Sequence, residues 1–256
     1  FIMPRHRGKF NIHNPEPYEL SRSRVENFVK CPACFYMQQV EGIAFPSIPG
    51  FNINEATDIL LKKDFDYYRE KKKPHPFLEN HGYSHLIPYQ HEHFKLWTQS
   101  MHFGAKNRMH YDHLESNIRV GGGVDDVWFN TKTSKIHIVD YKSTSQKKNS
   151  GPITLNDRWK EAYKRQMDLY VWVMQKKGYD VDKIGFFLYC DGNRFTHQSF
   201  LNAKNAVMEF KMTLIEYETN LSWIEKTLNG INKCLRLNER PKHSENCEYG
   251  TFIDQI

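Results

Sequence analysis

Two short β-rich runs on either side of a polar turn constrain this chain more than any other feature: NIRVGGGVDDVWFN, ending at Asn130, and KIHIVDYKS, beginning at Lys135. Alternating apolar and polar residues bounded by turn-forming ones predict a β-hairpin. If the turn lies between Asn130 and Lys135, pairing those two residues sets Asp125 directly opposite Asp140, and directly opposed residues have Cβ atoms about 4.5–5.5 Å apart. The two-residue period of a strand then places Asp125, Val127 and Phe129 on the same face as Ile136, Ile138, Asp140 and Lys142. The apolar members of that face belong to a core, which leaves both aspartates and the lysine at its rim. A slip of one residue would turn the whole set to the other face.

Two carboxylates so close repel each other unless a cation or a shared proton compensates. Oxygen ligands from Asp125 and Asp140, with the backbone carbonyl of Tyr141, suit a hard ion such as magnesium or manganese, which keeps several waters and binds substrate phosphate. Lys142 points the same way as Asp140 and can orient an attacking water or neutralise charge developing on a phosphorane-like transition state. The plain alternative is a turn aspartate, a strand-end aspartate and a surface ion pair, because such triplets are common by chance. The glycines Gly121, Gly122 and Gly123 weigh against it by removing side chains where a backbone could approach closely.

Around the hairpin the pattern is that of an α/β protein. A first helix over 21–42, with Ser23 and Glu26 at capping-box spacing, is interrupted near Pro32. A loop over 42–50 precedes a second helix over 52–70, and 71–101 shows no clean period beyond short helical pieces. After the hairpin come a helix over 156–177, the apolar strand KIGFFLYC, a strand marked by Met208, Phe210, Met212 and Leu214, and a last helix opening near Ser222. The first 20 residues read as a basic arm and 21–256 as a single domain. No apolar run approaches the ~18 residues of a membrane span, and the N-terminal stretch lacks the apolar core of a secretory signal, which points to the cytoplasm. The net charge of +6 suits a polyanionic partner without demanding one.

The motifs GGVDDV, IVDYKST and RQMDLYVW, taken in order, resemble the PD-(D/E)XK nuclease superfamily and in particular its RecB-like branch. There a G-x-x-D strand, a D-x-K strand and a Q-x-x-x-Y helix succeed one another, matched here by Gly122 and Asp125, Asp140 and Lys142, and Gln166 and Tyr170. The segment SRSRVENFVKCPACFYM is similar to the N-terminal helix of these nucleases. The resemblance runs from about residue 21 to 252, with 60–110 poorly aligned. It implies a restriction-endonuclease-like central mixed sheet flanked by helices, with helical N-terminal additions. It also implies magnesium- or manganese-dependent cleavage of DNA, often exonucleolytic on single-stranded ends.

Independently of the resemblance, Trp159, Ala162, Tyr163, Gln166, Leu169, Tyr170 and Val173 form one helical stripe, so Gln166 is a polar residue on a core-facing side and needs a partner. Lys160, Lys164 and Arg165 lie on adjoining faces and could meet backbone phosphates, or simply form a solvated basic face. Relatives usually add a histidine ligand from an early helix. Residues 52–70 contain none, and Asp58 stands in the most similar place, with Glu55 and Asp64 as alternatives.

Some relatives hold an iron–sulfur cluster on one cysteine of the Cys-Pro helix and three near the C-terminus. Cys31, Cys34, Cys234 and Cys247 could form a four-cysteine site for zinc or a cluster, although the spacing of the last pair departs from a short knuckle and favours reduced, partly buried thiols. Cys190 reads as core, and the histidines between His75 and His113 as scattered surface residues. Two rival functions stay open: a binding or scaffold protein of the same fold without chemistry, and a metal-dependent enzyme acting on another phosphate ester.

Overall fold

A computed structural model of the chain describes residues 6–43, 45, 50–101, 106–196 and 198–253. Part of the loop expected over 42–50 lies outside the described residues, as does the start of the basic arm. The hairpin begins with its turn. The Asn130 side-chain oxygen accepts from the backbone N–H groups of Lys132 and Thr133 at 3.0 and 3.2 Å, and its own N–H donates to the Lys135 carbonyl at 2.8 Å. An asparagine folding the chain back on itself in this way is the turn chemistry that the polar segment offers. Strand β5 (Asp126–Asn130) therefore meets β6 (Ile136–Thr144) in the expected register, from Asp126 opposite Val139 to Phe129 opposite Ile136.

From β6 the chain passes through a short 3₁₀ turn into helix α6 (Glu161–Lys176) and returns as β7 (Ile184–Gly192), parallel to β6. Strand β8 (Phe210–Glu218) pairs antiparallel with β7. On the far side of β5 lies β2 (Leu86–Pro88), which makes a five-stranded mixed sheet ordered β2-β5-β6-β7-β8. Strand β2 falls where the sequence was expected to form only loop and short helices, because three residues ending in proline are too few to display a period. The expected helical pieces are α4 (Pro76–Asn80) and α5 (Phe94–Trp97).

The run from Ile118 to Asn130 is not one strand. Its first part, β4 (Ile118–Gly121), is the centre of a second sheet between β1 (Tyr18–Ser21) and β3 (His110–His113). The crossing from one sheet to the other explains the three glycines. A Cβ on Gly121 would lie 2.1 Å from the Met109 carbonyl oxygen, one on Gly122 2.8 Å from the Tyr170 ring, and one on Gly123 2.9 Å from the Thr98 carbonyl oxygen. The chain is squeezed between neighbours, and no residue with a side chain fits without displacing them.

Helix α6 packs against both sheets, and every residue from Gln166 to Met174 is buried. Trp159, expected on its core-facing stripe, is 58% exposed, because it belongs to the 3₁₀ turn before the helix, whose tighter winding rotates it away. Helix α1 (Arg22–Lys30) leans on α6, and α2 (Pro32–Tyr36), continued by a π-helical turn to Glu41, follows the break at Cys31. The capping box does not form. Helix α1 starts at Arg22, and Glu26 accepts two hydrogen bonds from the Arg165 guanidinium at 2.7 and 2.9 Å, a bidentate charge pair stronger than a cap.

Helix α3 (Asn52–Lys71) covers the opposite face of the large sheet, where Phe65 stacks on Trp128 and packs beside Tyr141. Helices α7 (Ile224–Leu235) and α8 (Glu248–Ile253) complete the fold, α7 lying beside α1 and α2. The architecture is the α/β arrangement of mixed sheets flanked by helices that the sequence led us to expect. No helix among the described residues is long and apolar enough to cross a membrane.

Candidate active site

The two adjacent aspartates at the start of β5 face opposite ways and do different work. Asp126 is 1% exposed on the α3 side, where it accepts from Arg69, the Trp128 indole N–H at 3.1 Å, the Tyr141 hydroxyl at 2.6 Å and the Val127 backbone N–H at 2.7 Å. A buried carboxylate so fully bonded is part of the framework. Asp125 sits on the bend before β5 with its side chain 23% exposed. Its Oδ2 accepts from the Tyr141 backbone N–H at 2.9 Å, and its Oδ1 lies 3.3 Å from the Lys62 ammonium.

Beyond the last paired residue of β5, Asp140 and Lys142 continue along β6 on the face toward α6. The Asp140 Oδ1 accepts from the Gln166 side-chain amide at 2.7 Å, which supplies the partner that a buried glutamine needs. The Asp140 Oδ2 abuts the Lys142 ammonium but has no well-angled hydrogen bond, and Gln166 Oε1 is buried without one. Burial pushes the Asp140 carboxyl up to about 6 against the pull of Lys142, and the neighbouring Asp125 charge adds to the rise. The N–H and C=O of a strand residue point to the same side. The Tyr141 carbonyl, expected as a backbone ligand, therefore faces the same side as the N–H that meets Asp125.

The third carboxylate comes from α3. Asp58 Oδ2 is 2.7 Å from Lys62 Nζ one turn along the helix, so a single ammonium bridges Asp58 and Asp125. Burial and the Asp125 charge raise the Asp58 carboxyl, while Lys62 and Lys142 oppose the rise. The Thr57 hydroxyl meets that of Ser143 and anchors this end of α3 to β6. Tyr170 is 4% exposed, lies against Gly122 and has the Arg22 charge beside it. The structure thus gathers the sequence-selected Asp58, Asp125, Asp140, Lys142, Gln166 and Tyr170 in one region. Among these, Asp140 keeps a buried oxygen without a well-angled partner, and carboxylate oxygens are the donors that a hard divalent cation takes.

Sequence reasoning missed Arg22 and Lys62, and it placed Tyr163 on the helical stripe without a role, whereas the Tyr163 ring lies 4.6 Å from Lys142 Nζ. The four-residue spacing of Asp58 and Lys62 on one helix was a usable signal, whereas Arg22 reaches the site only through tertiary packing. A cleft of about 470 Å³ opens beside Asp125, lined by Lys62, Arg69 and Lys95 but also by Asp66, Glu70 and Glu92.

The basic residues expected on α6 do not form a free basic face. Lys160 is only 5% exposed, held by the Thr154 carbonyl at 2.6 Å and by Asp157 at 2.7 Å. Lys164 pairs with Glu161 at 2.7 Å, and Arg165 is committed to Glu26. Of the cysteines, Cys31, Cys34 and Cys247 come together, but Cys234 does not join them. Its thiol faces the Pro32 carbonyl from α7, and His243 takes the fourth place. Cys190 is buried in β7 as expected. Several of the histidines expected at the surface have structural contacts instead: His75 accepts from the first turn of α4, His113 is buried against Ser116, and His91 stacks on Trp97 at 4.4 Å.

A family model described as the PD-(D/E)XK nuclease superfamily matches residues 19–252. No curated protein and no solved structure matches the chain.

Proposed function

We propose that this chain, which belongs to the PD-(D/E)XK nuclease superfamily, is a magnesium- or manganese-dependent deoxyribonuclease of the RecB-like kind that acts on single-stranded ends. The observation that carries the reading is the convergence of Asp58 from α3, Asp125 from the bend before β5 and Asp140 from β6 beside Lys142. Like charges are brought together from distant parts of a chain, at a cost in folding, where a cation is to be held between them.

Asp58, Asp125, Asp140 and the Tyr141 carbonyl would hold the ion, which supplies Lewis-acid activation of water and of a phosphoryl oxygen. Lys62 bridges two of these carboxylates and shares in neutralising them. Gln166 fixes the rotation of Asp140 through its amide. Lys142, supported on the Tyr163 ring, carries the positive charge toward which a water is oriented and against which charge on the phosphorus oxygens develops. Arg22 and Tyr170 close the site on the α1 side, and the cleft next to Asp125 admits the strand.

The test is incubation of the full chain with end-labelled single- and double-stranded DNA in magnesium, in manganese and in chelator. Metal-dependent shortening of the single strand from an end is the expected result. Asp140→Ala and Lys142→Ala should each lower the rate by about a hundred- to a thousandfold, the scale on which removing one preorganised electrostatic partner acts. Full activity in either variant would overturn the assignment of the centre. Binding without cleavage in manganese would make this a nucleic-acid-binding member of the superfamily, and turnover of small phosphodiesters alone would point to another phosphate ester.

A further inference from the structure

Far along the chain from the carboxylates, Cys31 and Cys34 meet His243 and Cys247, and the three Sγ atoms and one ring nitrogen all lie within 4.8 Å of one another. The His243 Nδ1 is 3.5 Å from Cys31 Sγ, 3.6 Å from Cys34 Sγ and 3.5 Å from Cys247 Sγ, and Cys34 Sγ is 3.3 Å from Cys247 Sγ. A neutral imidazole nitrogen has one lone pair and cannot satisfy three thiols at once. Three nearly equal separations around one nitrogen need another cause.

A tetrahedral zinc ion has Zn–S bonds of about 2.3 Å and Zn–N bonds of about 2.0–2.1 Å, so its ligand edges are about 3.6 Å between S and N and about 3.8 Å between two sulfurs. The three observed S-to-N separations match the first edge. We propose that Cys31, Cys34, His243 and Cys247 form a closed structural zinc site, independent of the carboxylate centre.

The surroundings are built for thiolates. The backbone N–H of Ser244 points at Cys31 Sγ at 3.4 Å and that of Gly250 at Cys247 Sγ at 3.3 Å, donors that stabilise negative sulfur. Gly250 leaves room for the ligand ring, since a Cβ there would lie 2.7 Å from His243 Cβ and Cγ. The ligands come as a C-x-x-C pair at the start of α2 and an H-x-x-x-C pair at the start of α8, two short bidentate clips.

An iron–sulfur cluster does not fit this arrangement. In such a cluster each thiolate binds a different iron, so the ligand sulfurs surround the whole cluster instead of touching one another. With all four ligands from protein, the site leaves no open position for catalysis. Its role is to fasten the C-terminal segment to α2, closing a loop between residues 212 positions apart.

Metal analysis of the full chain, purified without added metal, should find about one zinc per chain, released when a mercurial titrates the thiols. Cys34→Ser and His243→Asn should each lose that zinc and melt at lower temperature. Asp140→Asn should keep it, which separates this site from the carboxylate centre. Because Cys34→Ser could fail to fold, the unaltered chain exchanged with cobalt(II) is the second measurement. It should show the intense visible bands of a tetrahedral ion with thiolate ligands. Iron in place of zinc, a Cys34–Cys247 disulfide in the purified chain, or full zinc occupancy in both ligand variants would overturn the proposal.

Discussion

At the scale of single residues, Asp125 and Asp126 show how one peptide step separates chemistry from framework. Asp125 shares an ammonium with Asp58 and is open to solvent, so replacing it by Asn keeps an acceptor for the Tyr141 N–H and removes a like-charge repulsion. Asp125→Asn should therefore unfold in urea within about 0.5 kcal/mol of the parent, as substitutions away from core features do, while losing DNA cleavage. Asp126→Ala should behave in the opposite way. It leaves the Arg69 guanidinium, whose side chain is 9% exposed, with Asp66 and the Tyr89 carbonyl but without its buried carboxylate, and breaking a buried pair costs about 3–5 kcal/mol. Equal urea midpoints for the two variants would show that the division is wrong. The sequence made the choice of Asp125 legible because side-chain direction in a strand is a matter of parity. It held no hint that Asp126 would be tied to Arg69, a contact across 57 positions.

At the scale of elements, the small sheet is held across its middle by Arg119 on β4. Its guanidinium takes Asp112 of β3 in two hydrogen bonds of 2.7 Å and lies 3.4 Å from Glu19 of β1, the residues directly opposite it in register. Burial raises the Asp112 carboxyl, but the hydrogen bonds and charge of Arg119 outweigh it, and His110 and Lys177 add to the lowering. A carboxylate depressed in the folded state contributes stability that is present above its unfolded pKa of about 3.9 and is lost as pH falls through the folded value. The parent should accordingly be more stable than Asp112→Asn at neutral pH, with the difference shrinking on acidification below about pH 4. A difference that stays constant down to pH 2, followed by chemical unfolding, would refute the pairing. None of these three strands was expected as part of a separate sheet, because runs of four residues carry too little pattern to be read locally.

At the scale of the whole molecule, α6 is the shared layer between two sheets, and the glycine crossing lets one chain segment serve both. Gly122→Ala would drive a methyl group into the Tyr170 ring, which packs beside Arg22 and the carboxylates. Overpacking of this kind costs about 1–3 kcal/mol. The variant should melt at lower temperature and, by shifting α6, lose DNA cleavage more than its loss of folded protein accounts for. Parental melting and cleavage in Gly122→Ala would show that the crossing tolerates side chains. The hairpin, its register and the face bearing Asp125, Asp140 and Lys142 were determined by the sequence itself, because a turn closed by Asn130 and a two-residue period are local and leave little choice. The tertiary structure alone decided that the Lys62 ammonium reaches Asp125 as well as Asp58, that Lys160 and Arg165 are spoken for, and that His243 and not Cys234 joins the cysteines. Those outcomes depend on which surfaces meet after distant segments pack, and no local period or spacing encodes that meeting.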